Sequence, residues 1–304
     1  MSNQHVLVTG ATGFIGQHLV RFLAQQPDIH VWGVSRNGGQ VGAVQVDSLD
    51  LSSKPSVEAW REHKPSFSAI FHLAAELPKT FQGNQAKTSF LSNILMVQNV
   101  LSLAEKERTI VVYASSSSVY GDTSTLPLSE DLIVEPDNHY SLGKYVGEFI
   151  CALEGREQGF PAISLRISAP YGPWQRAHTV INIFLESVLN SRDLILYGSG
   201  LRAQDFTYVD DVVQAMWLAS KQKKSGVYNI ASGQSVTMKT LAEMVLALTP
   251  DNASRVQFSG KPDPQENYRG VFSIEKAQRE LGYNPRTLLE KGLQNCLLVC
   301  KESS

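Results

Sequence analysis

Thr9-Gly10-Ala11-Thr12-Gly13-Phe14-Ile15-Gly16 is the most informative stretch of this chain, because it closes one apolar run and opens another of different period. Residues 5–9 before it are short and β-branched, whereas residues 14–24 after it carry apolar side chains at helical spacing. Glycines at a strand-to-helix turn serve three ends: a tight turn, close approach of backbone to a pyrophosphate, and close packing of helix on strand. The first N–H groups of the helix, at the positive end of its dipole, then face the phosphates. Elsewhere such glycines would be an ordinary turn. Behind an N-terminal strand they predict a dinucleotide site on Gly10, Thr12, Gly13, Phe14, Ile15 and Gly16.

Outward from the loop, residues 30–34, 43–46, 69–73, 110–114 and 162–167 read as further buried strands. Residues 87–106 and 140–158 between them are amphipathic. A βαβα series implies a parallel sheet covered on both faces, so the predicted class is α/β, doubly wound. After Gly172 the rhythm shortens, with Gly198, Gly200, Gly226, Pro262 and Pro264 as punctuation. The expected division is a dinucleotide-binding domain over 1–172, with segments near 205–232 returning to it. Residues 173–304 then form mainly a smaller C-terminal substrate-binding lobe.

A chain of 304 residues with 42% hydrophobic and 18% charged side chains is long and apolar enough for a large core. A net charge of −2, with no cluster of Lys and Arg, excludes the electrostatic footprint of a nucleic-acid or membrane-surface binder. Cys151, Cys296 and Cys300 form neither a CxxC pair nor a zinc knuckle, so they are read as reduced packing residues and no metal is expected. No apolar run approaches the roughly 20 residues of a membrane span, and a cytoplasmic location is expected.

A site for NAD would place Asp or Glu about 20 residues beyond the glycines to bind the ribose hydroxyls. This chain has Ser35-Arg36-Asn37 there. Arg36 can pair with a 2′-phosphate, which a carboxylate would repel, so NADP(H) is the expected cofactor, with NAD(H) the alternative. If Arg36 points into solvent, that inference lapses. Asp47, at the end of the third strand, is expected to accept from the adenine amino group unless it is a turn or cap residue.

Tyr140-Ser-Leu-Gly-Lys144 opens a helix, so its phenol and ammonium share one face. An ammonium and a cationic nicotinamide ring beside it would pull a phenol down from its usual value near 10 toward neutrality. Upstream, Tyr113-Ala-Ser-Ser-Ser-Ser118 puts hydroxyls at the carboxyl edge of the sheet, where ligands bind in such folds.

Together these pieces resemble the extended short-chain dehydrogenase/reductase family, a Rossmann-fold group that includes nucleotide-sugar epimerases, dehydratases and 4-ketoreductases. The likeness spans nearly the whole chain. It runs through TGATGFIG at 9–16, HLAA at 72–75, Asn93, SSSSVYG at 115–121, YSLGK at 140–144, LRISAPYGP at 165–173, DFTYVDD at 205–211 and LGYNP at 281–285. It implies Ser116, Tyr140 and Lys144 as the catalytic set, with Tyr140 moving the proton of a carbinol oxygen, Ser116 holding that oxygen and Lys144 also gripping the cofactor ribose. It further implies that Leu73, Ala74 and Ala75 line the nicotinamide side, that Asn93 supports the cofactor site, and that helices including 88–106 and 140–156 form a homodimer.

Departures from the family pattern narrow the expected reaction. Ser117 and Ser118 stand where dehydratases carry an acidic pair, and Ser118 also replaces the cysteine of 3,5-epimerising reductases, leaving His178 as a substrate contact or surface residue. Gln204 and Lys261 replace two arginines that grip a substrate diphosphate; Arg202, two residues from Gln204 and on the same strand face, is a substitute, and Arg176 and Arg269 are further candidates. The expected activity is that of an NADP(H)-dependent 4-ketoreductase of a nucleotide-activated deoxyhexose. Competing readings are a nucleotide-sugar 4-epimerase with retained cofactor, a reductase of a non-nucleotide carbonyl or sugar acid, and a redox-sensing binding module.

Overall fold

The structure is a computed structural model that describes residues 4–78, 80–122, 125–250 and 253–302. The first half alternates strand and helix: β1 (Gln4–Thr9), α1 (Phe14–Ala24), β2 (Ile29–Ser35), β3 (Gly39–Val41), β4 (Val44–Ser48), α2 (Lys54–Arg61), β5 (Ala69–His72), α3 (Gly83–Leu101), β6 (Ile110–Ser116), α4 (His139–Gln158) and β7 (Ala162–Ile167). One large sheet runs Gly226–Ile230, β7, β6, β5, β1, β2, β4, β3, parallel throughout except for β3 against β4. The order reverses between β1 and β5, which opens a crevice at their carboxyl ends where ligands bind in such sheets.

Each face of the sheet buries its own apolar layer. Leu19, Val20 and Leu23 of α1 lie with Val6, Val8, Phe71 and the Val209–Ala219 helix on one side. Val97, Val100 and Leu101 of α3 lie with Leu7, Ile70, Val111 and Phe160 on the other. Full burial of such a side chain contributes roughly 1.5–3 kcal/mol. A separate cluster of Phe184, Leu185, Leu194, Leu241 and Leu293 fills the C-terminal part. There the pairs Ala203–Asp205 with Ser235–Thr237, and Val256–Phe258 with Leu194–Leu196, are short strands. Asp205, fully buried, accepts from the backbone of Ser232 and Gly233 at 2.7 and 2.8 Å and fastens this part to the loop after Gly226–Ile230.

Thr9 closes the crevice floor. Its Oγ1 lies 2.8 Å from His72 Nδ1 and accepts from the N–H groups of Leu73 and Ala74 at 3.2 and 3.1 Å. The hydroxyl therefore donates to Nδ1, and burial, aided by the Lys144 charge, pushes His72 down to about 3, so the ring stays neutral. Replacing Thr9 by Val strands two N–H groups and a ring nitrogen, and is expected to cost about 2 kcal/mol in denaturant unfolding. No loss would show that water serves these groups equally well.

Candidate active site

Gly10 and Gly16 make the cradle possible. Gly10 has φ +67°, and a Cβ there would sit 2.8 Å from the Ala74 nitrogen; a Cβ on Gly16 would meet the Gly10 carbonyl at 2.1 Å. With β1, loop and α1 so close, the first turn of α1 has no side-chain cap and no acidic residue, which leaves its leading N–H groups and positive dipole end open to an anion. Above it lies a cavity of about 810 Å³. One wall is Gly10, Thr12, Gly13, Phe14, Ile15 and Gly16, and the wall at the end of β2 is Ser35, Arg36, Asn37, Leu49, Asp50 and Leu51. Leu73, Ala74, Ala75 and Glu76 line the opposite side, and Ser116, Tyr140 and Lys144 stand at the inner end. Trp174, Gln175, Arg176 and Ala177 close it from the C-terminal part.

An Asn138 capping box, which the sequence reading missed, sets the start of α4: Asn138 Oδ1 accepts from the Tyr140 and Ser141 nitrogens at 2.9 and 3.0 Å, and Ser141 Oγ accepts from the Asn138 nitrogen at 3.1 Å. The box places Tyr140 in the first turn, where its hydroxyl hydrogen-bonds with Ser116. The Lys144 ammonium donates to the Ala114 carbonyl at 2.7 Å and lies 5.9 Å from the Tyr140 ring centroid. Burial lowers Lys144 to about 8, against the opposing influence of Cys151 and Glu148.

In the chain by itself Tyr140 lies above the usual phenol value, because burial opposes the phenolate more than the Ser116 hydrogen bond favours it, while Lys144 donates to Ala114. Asp47 does not line the cavity. Its Oδ2 accepts from Trp60 Nε1 and Lys64 Nζ, both at 2.8 Å, and although partial burial opposes ionisation these bonds hold it below the usual range. The carboxylate at that wall is Asp50. Asn93 is also outside the lining; its Oδ1 accepts from the Glu76 nitrogen at 2.7 Å and its Nδ2 donates to the Glu76 carbonyl at 3.1 Å, so it orients the wall instead of touching its contents.

The residues expected near a substrate lie mostly outside this cavity's lining. Ser117 and Ser118 form a short helical turn behind Ser116, with Ser118 Oγ donating to Ser116 Oγ at 2.9 Å, and neither lines the cavity. His178 is exposed and outside the lining, while its neighbours Arg176 and Ala177 are in it. Arg202 is held by Asp263 at 3.2 Å and Gln265 at 2.8 Å, and neither it nor Gln204 nor Lys261 lines the cavity. Arg36 does line it, with its side chain 62% exposed and 3.1 Å from Glu76 Oε2.

A doubly wound sheet, a glycine cradle at the reversal of strand order, and a hydroxyl, a phenol and an ammonium converging at the inner end define the short-chain dehydrogenase/reductase class of enzymes. The profile of the NAD dependent epimerase/dehydratase family matches residues 6–231, and the chain belongs to that family. It is 28% identical to UDP-glucuronate 4-epimerase 1 of Arabidopsis thaliana over 95% of this chain and 75% of that one. It is also 28% identical to dTDP-4-dehydro-6-deoxyglucose reductase of Escherichia coli over 97% and 98% of the respective chains. The crystal structure of UDP-glucuronic acid 4-epimerase from Bacillus cereus in complex with UDP-glucuronic acid and NAD superposes with a TM-score of 0.86 at 26% identity, covering 99% of this chain and 100% of that one. No helix among the described residues is long and apolar enough to cross a membrane.

Proposed function

We propose that this enzyme reduces the 4-keto group of a nucleotide-activated deoxyhexose with NADP(H). The observation that carries the reading is the meeting of Ser116, Tyr140 and Lys144 at the inner end of a cavity whose other end presents Arg36 and no carboxylate on β2. The cavity suits a dinucleotide, since the glycine cradle leaves no room for side chains and the start of α1 offers unpaired N–H groups to phosphates. Gly10, Gly13 and Phe14 would hold the pyrophosphate; Ser35, Arg36 and Asn37 the adenosine ribose and its phosphate; Leu73, Ala74, Ala75 and Lys144 the nicotinamide half. When bound, the cofactor supplies the hydride.

Tyr140 then protonates the carbonyl oxygen while Ser116 holds it by a hydrogen bond. A phenol kept protonated by burial suits this direction, because the group must arrive with its proton. The Lys144 ammonium stabilises the phenolate that remains, once a ribose or substrate oxygen draws it from the Ala114 carbonyl. Arg176 is the cation that the C-terminal part brings to the cavity, and we assign it the substrate's anionic group in place of Arg202 and Lys261. The outward apolar residues Leu91, Leu95, Tyr145 and Phe149 of α3 and α4 support a homodimer through that face.

A second reading, nucleotide-sugar 4-epimerisation, is favoured by the names of the relatives above. The two separate cleanly in one assay. Incubation with NADPH and a dTDP-linked or UDP-linked 4-keto-6-deoxyhexose is expected to consume one NADPH per sugar reduced. An epimerase would instead interconvert the 4-hydroxyl isomers of a UDP-sugar with cofactor already bound in the purified protein and none consumed. Neither outcome would refute the assignment of a nucleotide sugar.

A further inference from the structure

We infer that Glu76 sets the balance between NADP(H) and NAD(H), because its carboxylate occupies the guanidinium that a ribose 2′-phosphate needs. This inference rests on the cavity holding a dinucleotide, as proposed above.

Arg36 enters the cavity from the end of β2 and Glu76 from the segment after β5, on the opposite wall, and their side chains meet with Nη2 3.1 Å from Oε2. The pair therefore bridges the walls beside the β2 end, where the adenosine ribose is gripped in such folds. Glu76 is not there by chance rotation. Its Oε1 accepts from Ser89 Oγ at 3.2 Å, Ser89 is fully buried in α3, and Asn93 from the same helix fixes the Glu76 backbone at both its nitrogen and its carbonyl. The helix thus holds a fixed acceptor against an exposed arginine. Asp50, on the Arg36 side, adds a second negative charge close enough to act on the guanidinium. Its own Oδ1 is held by the nitrogen and hydroxyl of Ser52 at 2.9 and 2.6 Å.

Two carboxylates around one guanidinium change what the site rewards. A 2′-phosphate brings about two negative charges, which must displace Glu76 from Arg36 and then sit beside the carboxylate they displaced. A 2′-hydroxyl brings no charge and can donate to Glu76, the service that a carboxylate at the end of β2 gives in NAD sites. Glu76 therefore counters, from the other wall, the preference that Arg36 creates, and the absence of an acidic residue on β2 understates the affinity for NAD(H).

The test is a double-mutant cycle on the full-length protein, titrating NADPH and NADH separately into the unaltered chain, Glu76→Gln, Arg36→Ala and the double variant. Glutamine keeps the size and the Ser89 contact while removing the charge. Exposed ion pairs contribute little to stability, so all four proteins are expected to fold with similar melting temperatures. Glu76→Gln is expected to raise the ratio of NADPH to NADH affinity by about tenfold, as removal of a like charge a few ångströms from a phosphate should. The double variant should show no such rise. An unchanged or lowered ratio in Glu76→Gln, or a rise that persists without Arg36, overturns the inference while leaving the dinucleotide site standing. Failure of the unaltered protein to bind either dinucleotide overturns the site itself and this inference with it.

Discussion

Tyr140→Phe is expected to lower kcat by roughly 10²–10⁴-fold, the span lost when a positioned acid–base group is removed, and to leave cofactor affinity within about twofold. The substitution removes one oxygen, and the hydrogen bond it breaks is to Ser116, a group that Ser118 continues to hold through its nitrogen and hydroxyl at 3.2 and 2.9 Å. The ring itself stays packed, with Phe81 at 5.8 Å between centroids. Stability and the dinucleotide titration should therefore hardly move, which separates loss of chemistry from loss of structure. Single-turnover rates with saturating NADPH give the cleanest reading, because they exclude product release. A variant that keeps most of its single-turnover rate would remove Tyr140 from the proton transfer and pass that role to Ser116 or to water.

Much of this geometry was legible before folding, and the exceptions share a cause. The strand 162–167 and the helix 14–24 were read with the boundaries the structure shows, because period and burial agree along both. The short antiparallel β3 has no counterpart among the strands expected from the sequence: it follows Gly38, and Gly39 opens it, with φ +62° and +134°, and its pairing with β4 leaves no periodic signal in three residues. Helix α3 begins at Gly83 and ends at Leu101, not 87 and 106, since residues 83–86 lack an apolar stripe and Leu103 and Ala104 turn back onto Val100 and Leu101. Asp47 and Asp50 illustrate the limit for side chains. Both carboxylates lie near the end of β4, but which one faces the crevice depends on where the strand stops, and it stops at Ser48. In the lobe the dependence is longer in range: the pairing of Arg202 with Asp263 is set by a loop 61 residues later, which no local pattern encodes.

Arg166→Met is expected to cost about 3–5 kcal/mol of unfolding free energy, the largest stability effect of any single change considered, because it leaves a buried carboxylate without its partner. Arg166 and Glu148 are 5% and 4% exposed, and the guanidinium meets the carboxylate through Nε at 3.1 and 3.2 Å and Nη2 at 2.9 Å. Its other face lies 4.9 Å from the Tyr120 ring, and the Tyr120 hydroxyl donates to Asn229 on the far strand of the sheet. The same carboxylate also accepts from Ser115, the residue before Ser116, and raises Lys144 against the lowering effect of burial. Stability and the charge of Lys144 are thus coupled through one carboxylate. Pairing Arg166→Met with Glu148→Gln should recover most of the lost stability, since neither member of the pair is then left as the unmatched charge of the other. Function should not recover with it. Lys144 keeps its ammonium only below its own pKa, near 8 in the unaltered protein, so the part of dinucleotide affinity that depends on that charge fades as pH rises through that value. Without the Glu148 charge the fade should begin at lower pH, measurable by titrating cofactor from about pH 6 to about pH 10, the range that spans a depressed lysine. A double variant that regains stability yet fades at the same pH as the unaltered protein would leave the ion pair a purely structural element, with no hold on Lys144.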